Sequence, residues 1–536
     1  MKTTNKAAIE AYEKGVEACK IDNFNSAIIH FTKAIKLDPQ YVFAYINRGF
    51  AYTLLEKYPE AIADYTEAII LDPNNLNAYM NRGLAYSLLQ KHLEAIVDFT
   101  KVSELDPKYV NAYMNRGIAY INLRKPIGSM SDFSNLIDLI KKDLKKYPEA
   151  ILDFTKVIEL DPENVNAYLN LGLAYSSLEK YPEAIANYTE AIILDPNNLN
   201  AYTNRGFIYY NLQKYPETIV DFTKVIESNP NDVGTYNKRG DAYYNLKKYS
   251  EAIIDFTKVI DFDPSDMGTY HNRGLAYSSL KKYTEAILDY TEVIGLEPRY
   301  ATAYMNRGLA YSSLQKYPEA ILDYTKVIEL DSKYVNAYTN RGFIYYNLQK
   351  YPEAILDFTK VIKLDPKDMN AYYNRGLAYF NLQKYPKAIL DFTKVIKLDP
   401  KYVNAYYNRG EACYNLQEYP EAILNYTKVI ELDANDVLAY YNRGISYFNI
   451  QKYPEAILDY TEAIELDPNH LNAYINRGCI YYNLQKYSEA IVDYTEAIKL
   501  DPNDVVNYTN RGNAYIAFGK TKKAKADFAK AKSLEN

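Results

Sequence analysis

Apolar and small side chains recur along this chain at helical spacing, in paired blocks that repeat every 34 residues. One unit, residues 369–402, reads MNAYYNRGLAYFNLQKYPKAILDFTKVIKLDPKY. The turn Gln383-Lys384-Tyr385-Pro386 divides it into two amphipathic halves. Pro386 suits the first turn of a helix, where a missing N–H costs nothing. Pro400 cannot continue one and disfavours α geometry in the residue before it. Each unit therefore reads as a helix-turn-helix hairpin, too small to hold a core alone, so successive copies must stack and share one. Fifteen of the twenty glycines keep this period: Gly15, Gly49, Gly83 and Gly117, then Gly172 and every 34th residue to Gly512.

Counted from Met369 as position 1, the unit carries Tyr372 at position 4, Gly376 at 8, Tyr379 at 11, Ala388 at 20, Phe392 at 24 and Pro400 at 32. This pattern resembles the tetratricopeptide repeat over residues 8 to 536. The resemblance implies an all-α fold, a right-handed α-solenoid of stacked helix-turn-helix hairpins. One departure is consistent: position 7, usually a large aliphatic residue in that family, is arginine in thirteen copies from Arg48 to Arg511, and Leu171 in one. Its candidate partner is the aspartate at position 23, as in Arg375 with Asp391. The unit with Leu171 has Asn187 there, while Arg409 coexists with Asn425. Fourteen of the sixty tyrosines occupy position 4, where a ring is expected to fill the space beside the glycine of position 8 and the alanine of position 20.

The period breaks once. Gly117 and Gly172 are 55 residues apart, one period plus 21. Asp132 to Leu139 reads DFSNLIDL where other copies have DFTKVIEL, and from Leu144 the chain matches a unit only from its fourteenth position. We read a copy that has lost its first helix, so that two second-type helices follow one another and the alternation fails. A surface insertion between Lys125 and Tyr147 is the alternative. The expected organisation is a tail (1–7), four repeats (8–143), a truncated repeat and hinge (144–164), and eleven repeats (165–536). In the last copy positions 21 and 28, isoleucine in nearly every other unit, are Lys525 and Lys532, as a solvated terminal cap requires. The first copy is atypical too, with Ala11, Lys14 and Ala18, and nothing is expected to be missing at either end.

Composition narrows the function. No aperiodic stretch is long enough for a catalytic domain, so no enzyme is expected. No signal peptide or membrane span stands out, which suggests a cytoplasmic protein, with the nucleus left open. A net charge of −6, from 62 basic and 68 acidic residues, argues against nucleic acid, which needs basic surface to neutralise phosphates. Cys19, Cys413 and Cys479 lie far apart, and the four histidines occupy four different repeat positions, so no metal, cofactor or disulfide framework is expected.

Function is then expected from a surface. The resemblance implies that positions 2, 5, 6, 9, 12 and 13 of the first helix face a bound peptide in a concave groove. Position 6 is asparagine in thirteen copies: Asn47, Asn81, Asn115, Asn170, Asn204, Asn272, Asn306, Asn340, Asn374, Asn408, Asn442, Asn476 and Asn510. Each amide offers two donors and an acceptor to an extended backbone. Aromatic residues gather at positions 5 and 12 of the C-terminal half, as Tyr373, Tyr407 and Tyr441, and as Tyr346, Phe380, Tyr414, Phe448 and Tyr482. Aromatic anchors dominate interface energetics, which places the expected hot spot there. The leading expectation is a protein-interaction module that binds an extended peptide or protein partner as adaptor or scaffold. A self-associating scaffold that uses the outer face is the alternative. A chaperone adaptor fits poorly, because of the basic residues that its carboxylate clamp needs at positions 2, 5 and 6 only Lys238 is present. Partner identity, pathway and oligomeric state are not legible.

Overall fold

The computed structural model describes residues 3–123 and 146–535, and among these it contains thirty α-helices and no strand. They alternate as first and second helices of hairpins, and within each compact unit successive helices pack on one another. The described residues fall into two compact units, Met1–Leu280 and Lys281–Asn536. That division does not coincide with the expected hinge at 144–164.

The unit at 369–402 shows why these residues form a hairpin. Its first helix, Met369–Asn381, starts at Asp368, whose carboxylate accepts from the Ala371 N–H at 2.9 Å. This satisfies one of the donors that every helix start leaves open. The helix ends where Gln383 adopts φ 57°, with the Lys384 N–H donating to the Tyr379 carbonyl (2.9 Å) and the Gln383 N–H to that of Phe380 (2.8 Å). Those two bonds are the Schellman termination, here with glutamine where glycine is the usual choice. The second helix, Tyr385–Leu398, opens with Pro386 in its first turn.

Packing is built on small residues facing large ones. Ala378, Ala388, Phe392 and Val395 are fully buried. A methyl group at Gly376 would lie 2.8 Å from Cε1 of Phe392, so the bare backbone at position 8 is what admits the ring of position 24. The same holds from Gly15 on Phe31 to Gly512 on Phe528. This corrects the expectation for position 4. Tyr372 is only half buried, and the Arg375 guanidinium carbon lies over its ring and that of Tyr379, 5.7 and 5.9 Å from the centroids. The ring beside the glycine belongs to the second helix.

The arginine at position 7 holds three helices. Arg375 donates from Nε and Nη2 to both oxygens of Asp391 (2.8 and 2.7 Å) and from Nη1 to Thr359 Oγ1, in the second helix of the preceding repeat, at 3.0 Å. The clasp recurs in both units, for example at Arg48 with Asp64 and Thr32, and at Arg511 with Asp527 and Thr495. Arg409 makes the neutral version, with Asn425 at 2.8 Å. Where arginine is replaced by Leu171, that side chain is buried and Asn187 turns back to its own Glu183 carbonyl.

The irregular step keeps its phase, which corrects the expected failure of alternation. The helix Val110–Asn122 pairs with the helix Tyr147–Leu160 as every other first helix pairs with its second. Arg116 clasps Asp153 (2.9 and 2.7 Å) and Thr100, and Gly117 receives the ring of Phe154. Tyr147–Leu160 then packs on Val165–Ser177 in the ordinary way. Packing chooses Phe154 because the Tyr147-Pro148-Glu149-Ala150 start supplies the complete second-helix pattern. The extra residues thus fall between the two helices of one hairpin. The DFSNLIDL segment lies outside the described residues, as do the first two residues, 144 and 145, of the expected hinge.

Candidate peptide-binding face

Successive first helices within each unit present positions 5, 6, 12 and 13 along one face, and side chains there touch across repeats. In the unit Lys281–Asn536 the contacts form a row. The Asn408 amide donates to the Tyr373 hydroxyl oxygen at 2.9 Å, Asn442 to Tyr407 at 2.8 Å and Asn476 to Tyr441 at 3.2 Å. Seven positions further along the first helices, at positions 12 and 13, Asn381 donates to the Tyr346 hydroxyl at 3.0 Å. Position 5 of one repeat is therefore joined to position 6 of the next. In the rungs of Asn408 and Asn442 the amide carbonyl, the second amide hydrogen and the tyrosine O–H remain for another partner, whereas Asn381 also donates to the Leu377 carbonyl at 2.9 Å and Asn476 also bonds Tyr460.

Tilted and edge-on ring contacts anchor these tyrosines. Tyr373 packs against Phe392 and Tyr402, with centroids 5.9 and 5.2 Å away. Tyr407 packs on Tyr426 at 5.8 Å, and Tyr441 on Tyr460 and His470 at 5.9 and 4.6 Å. At position 12, Tyr346, Phe380, Tyr414, Phe448 and Tyr482 each meet the tyrosine that opens their own second helix, at 5.3 to 5.9 Å. All eight aromatic residues are half buried: one part of each ring is anchored and another faces solvent. Burial raises the hydroxyl pKa of Tyr373, Tyr407 and Tyr441, so they stay neutral donors and acceptors.

The thirteen asparagines are likewise half buried, one to a first helix, but they are not equivalent. Asn47 reaches Tyr12 of the first repeat, and Asn272 reaches Asp241 at 3.3 Å. Asn115, Asn170 and Asn374 donate to the carbonyl four residues back in their own helices, at 2.7 to 2.8 Å. Asn81, Asn204, Asn306, Asn340 and Asn510 occupy the same place in their own first helices, with Asn340 against the Tyr324 hydroxyl of the preceding repeat. The continuous Tyr–Asn row is confined to Tyr373 through Asn476.

Two polar substitutions on this face escaped sequence reasoning. Position 9 is apolar in most copies, but it is Asp241 in one repeat and Glu411 in another. Asp241 is reached by Tyr210 Oη at 3.3 Å and lies 3.6 Å from Lys238 Nζ, which also sits 5.1 Å from the Tyr210 ring centroid. Burial raises the carboxyl pKa of both residues, against the pull of Lys238 in the case of Asp241. The available signal was the departure from the column, read together with Lys238 at position 6 of the same repeat. Burial pushes the Cys413 thiol up to about 11, which removes it as a neutral-pH nucleophile. Among the described residues no helix is long and apolar enough to cross a membrane.

The comparisons agree with the repeat geometry. The tetratricopeptide repeat family matches residues 42–75, 165–198, 199–232, 301–334, 370–402, 437–470 and 471–504, with further matches at 323–355, 392–423, 493–526 and 76–109. A related TPR repeat family matches 140–178, 240–281, 276–315, 344–383 and 410–451. No curated protein matches the chain. Among solved structures, MamA is 28% identical over 30% of this chain and 94% of its own, with a TM-score of 0.29. YrrB, described as a TPR protein with an unusual peptide-binding site, is 26% identical over 34% of this chain and 95% of its own (TM-score 0.32). The C-terminal part of a repeat protein from Cytophaga hutchinsonii is 24% identical over 44% and 96% (TM-score 0.41). With family matches over most of its length and the glycine-to-ring hairpin recurring in both units, the chain belongs to the tetratricopeptide repeat family.

Proposed function

We propose that the chain is a protein-interaction scaffold whose first-helix face, from Tyr346 to Tyr482, holds an extended segment of a partner protein. The observation that carries this reading is the row Tyr373–Asn408, Tyr407–Asn442 and Tyr441–Asn476. Three rungs at the repeat spacing offer neutral donors and acceptors to a peptide backbone, and half-buried aromatic rings on either side supply apolar contact. Because the rungs carry no charge, the reading requires little sequence preference for acidic or basic ligands and weak dependence on salt.

Peptides selected on the full chain from a displayed random library provide the test. Asn408→Ala, Asn442→Ala and Asn476→Ala combined should weaken a selected peptide by at least about tenfold, since three lost bonds amount to about 1.5–4.5 kcal/mol. Circular dichroism should stay native. Unchanged affinity in a folded triple variant would move binding off this face.

A further inference from the structure

The outer side of the second helices carries an apolar residue that the hairpins leave uncovered. At position 22, Leu390, Leu424 and Leu458 are 70%, 70% and 67% exposed, although their neighbours at positions 20, 23 and 24 are buried. Positions 19, 22, 26 and 29 form one stripe of a helix, so the charges that frame each leucine can be read directly. Around Leu390 stand Lys387, Lys394 and Lys397, and around Leu458, two repeats on, stand Glu455, Glu462 and Glu465. The stripe between them is mixed: Glu421, Lys428 and Glu431 frame Leu424, with Lys428 paired to Glu431 at 2.8 Å.

We propose that this three-repeat face is a docking surface for a second copy of the chain, related by a two-fold axis that runs along the helix bearing Leu424. Such an axis lays the repeat of Leu390 on that of Leu458 in the other copy and brings Leu424 against its own counterpart. The helices so paired run in the same direction. Each of the three lysines then meets the glutamate of the same helix position, twice over by symmetry, and the leucines close the centre. The match is isologous: one patch carries both halves of the complement, which a surface evolved for a different protein has no need to do. On this axis Glu421, Lys428 and Glu431 each meet their own counterpart, but the six lysine–glutamate meetings outnumber these three like-charge ones. An axis centred on Leu390 or on Leu458 instead sets three like charges against themselves with no such surplus. The groove reading is independent, because positions 5, 6 and 12 lie on the other helix of each hairpin.

Sedimentation velocity on the full chain tests this. A salt-sensitive dimer is expected, weaker at about 0.5 M than at about 0.05 M salt, as ion pairs at a surface require. Leu424→Glu, an exposed position whose change leaves the core alone, should lower the association constant at least about tenfold. Lys387→Glu/Lys394→Glu/Lys397→Glu should abolish self-association, and so should Glu455→Lys/Glu462→Lys/Glu465→Lys. Mixing the two reversed chains should restore a heterodimer, with circular dichroism native throughout. A wild-type chain that stays monomeric at about 100 μM, association unchanged by Leu424→Glu, or reversed chains that fail to pair when mixed would each overturn the proposal.

Discussion

Position 24 rather than position 4 sets the stability of each hairpin, because only the second-helix ring enters the space that glycine leaves. Phe392→Ala opens a cavity between fully buried Ala388 and Val395, and should cost about 3–5 kcal/mol in the local unfolding of its repeat. Tyr372→Ala removes a half-buried ring and a cation–π contact of about 0.5–2 kcal/mol, so it should cost less. Hydrogen exchange across 369–402 separates the two, and a larger loss for Tyr372→Ala would reverse the assignment. Glu411 yields a pH-dependent case. Burial raises its folded-state pKa above the unfolded value, so folding favours its protonated form. Ionisation therefore destabilises the repeat above the folded pKa, and that penalty fades as pH falls toward the ordinary carboxylate range. Glu411→Leu should raise the melting temperature at pH 7 and raise it much less near pH 4; an equal gain at both would mean that packing, not charge, is responsible.

At the scale of helices and their joints, the clasp of Arg375, Asp391 and Thr359 ties a repeat to itself and to the one before it. Arg375→Leu strands a buried carboxylate and should cost about 3–5 kcal/mol, whereas Arg375→Leu with Asp391→Asn should recover most of that loss. Leu171 with Asn187 is the same exchange already present in the chain. A double variant no better than the single one would deny the coupling. Gln383 holds a left-handed conformation that the last repeat gives to Gly519, so Gln383→Gly should stabilise its turn by roughly 0.5–1 kcal/mol, seen as a rise in melting temperature. The hairpins and the Arg–Asp pair were legible in the sequence, because a strict period fixes which residues recur and their spacing of 16 stays inside one unit. Thr359 was not, since it belongs to the preceding copy. The ring beside Gly376 was misassigned because aromatic residues at positions 4 and 24 both recur at helical spacing, and periodicity alone does not say which one is buried. The pairing of Arg116 with Asp153 was hidden by two candidate second helices, DFSNLIDL and DFTKVIEL, that look alike as strings. On the candidate face, the asparagine column was plain, but the Tyr–Asn rungs depend on contacts between copies, which no single unit contains.

Over the whole chain, stability is a sum of hairpins and neighbour contacts, so a complete unit can be removed without harming the rest. Excising residues 369–402 joins Asp368 to Val403. Asp368 then takes the cap position of Tyr402, which makes no side-chain bond there, and Thr359 replaces Thr393 as the third partner of Arg409. Helicity per residue should be unchanged and the melting temperature nearly so. The face, however, loses a rung: Asn408 would meet Thr339, the position 5 residue of the preceding unit, instead of Tyr373. Excising residues 199–232 is the matched control. It passes the Thr223 contact of Arg239 to Thr189 and leaves the row from Tyr373 to Asn476 untouched. A peptide selected on the intact chain should therefore bind the second deletion normally and the first at least about tenfold more weakly. Loss of binding in both, with both folded, would show that the partner spans more of the array than the aromatic stretch. Retention in both would place the partner elsewhere on the molecule.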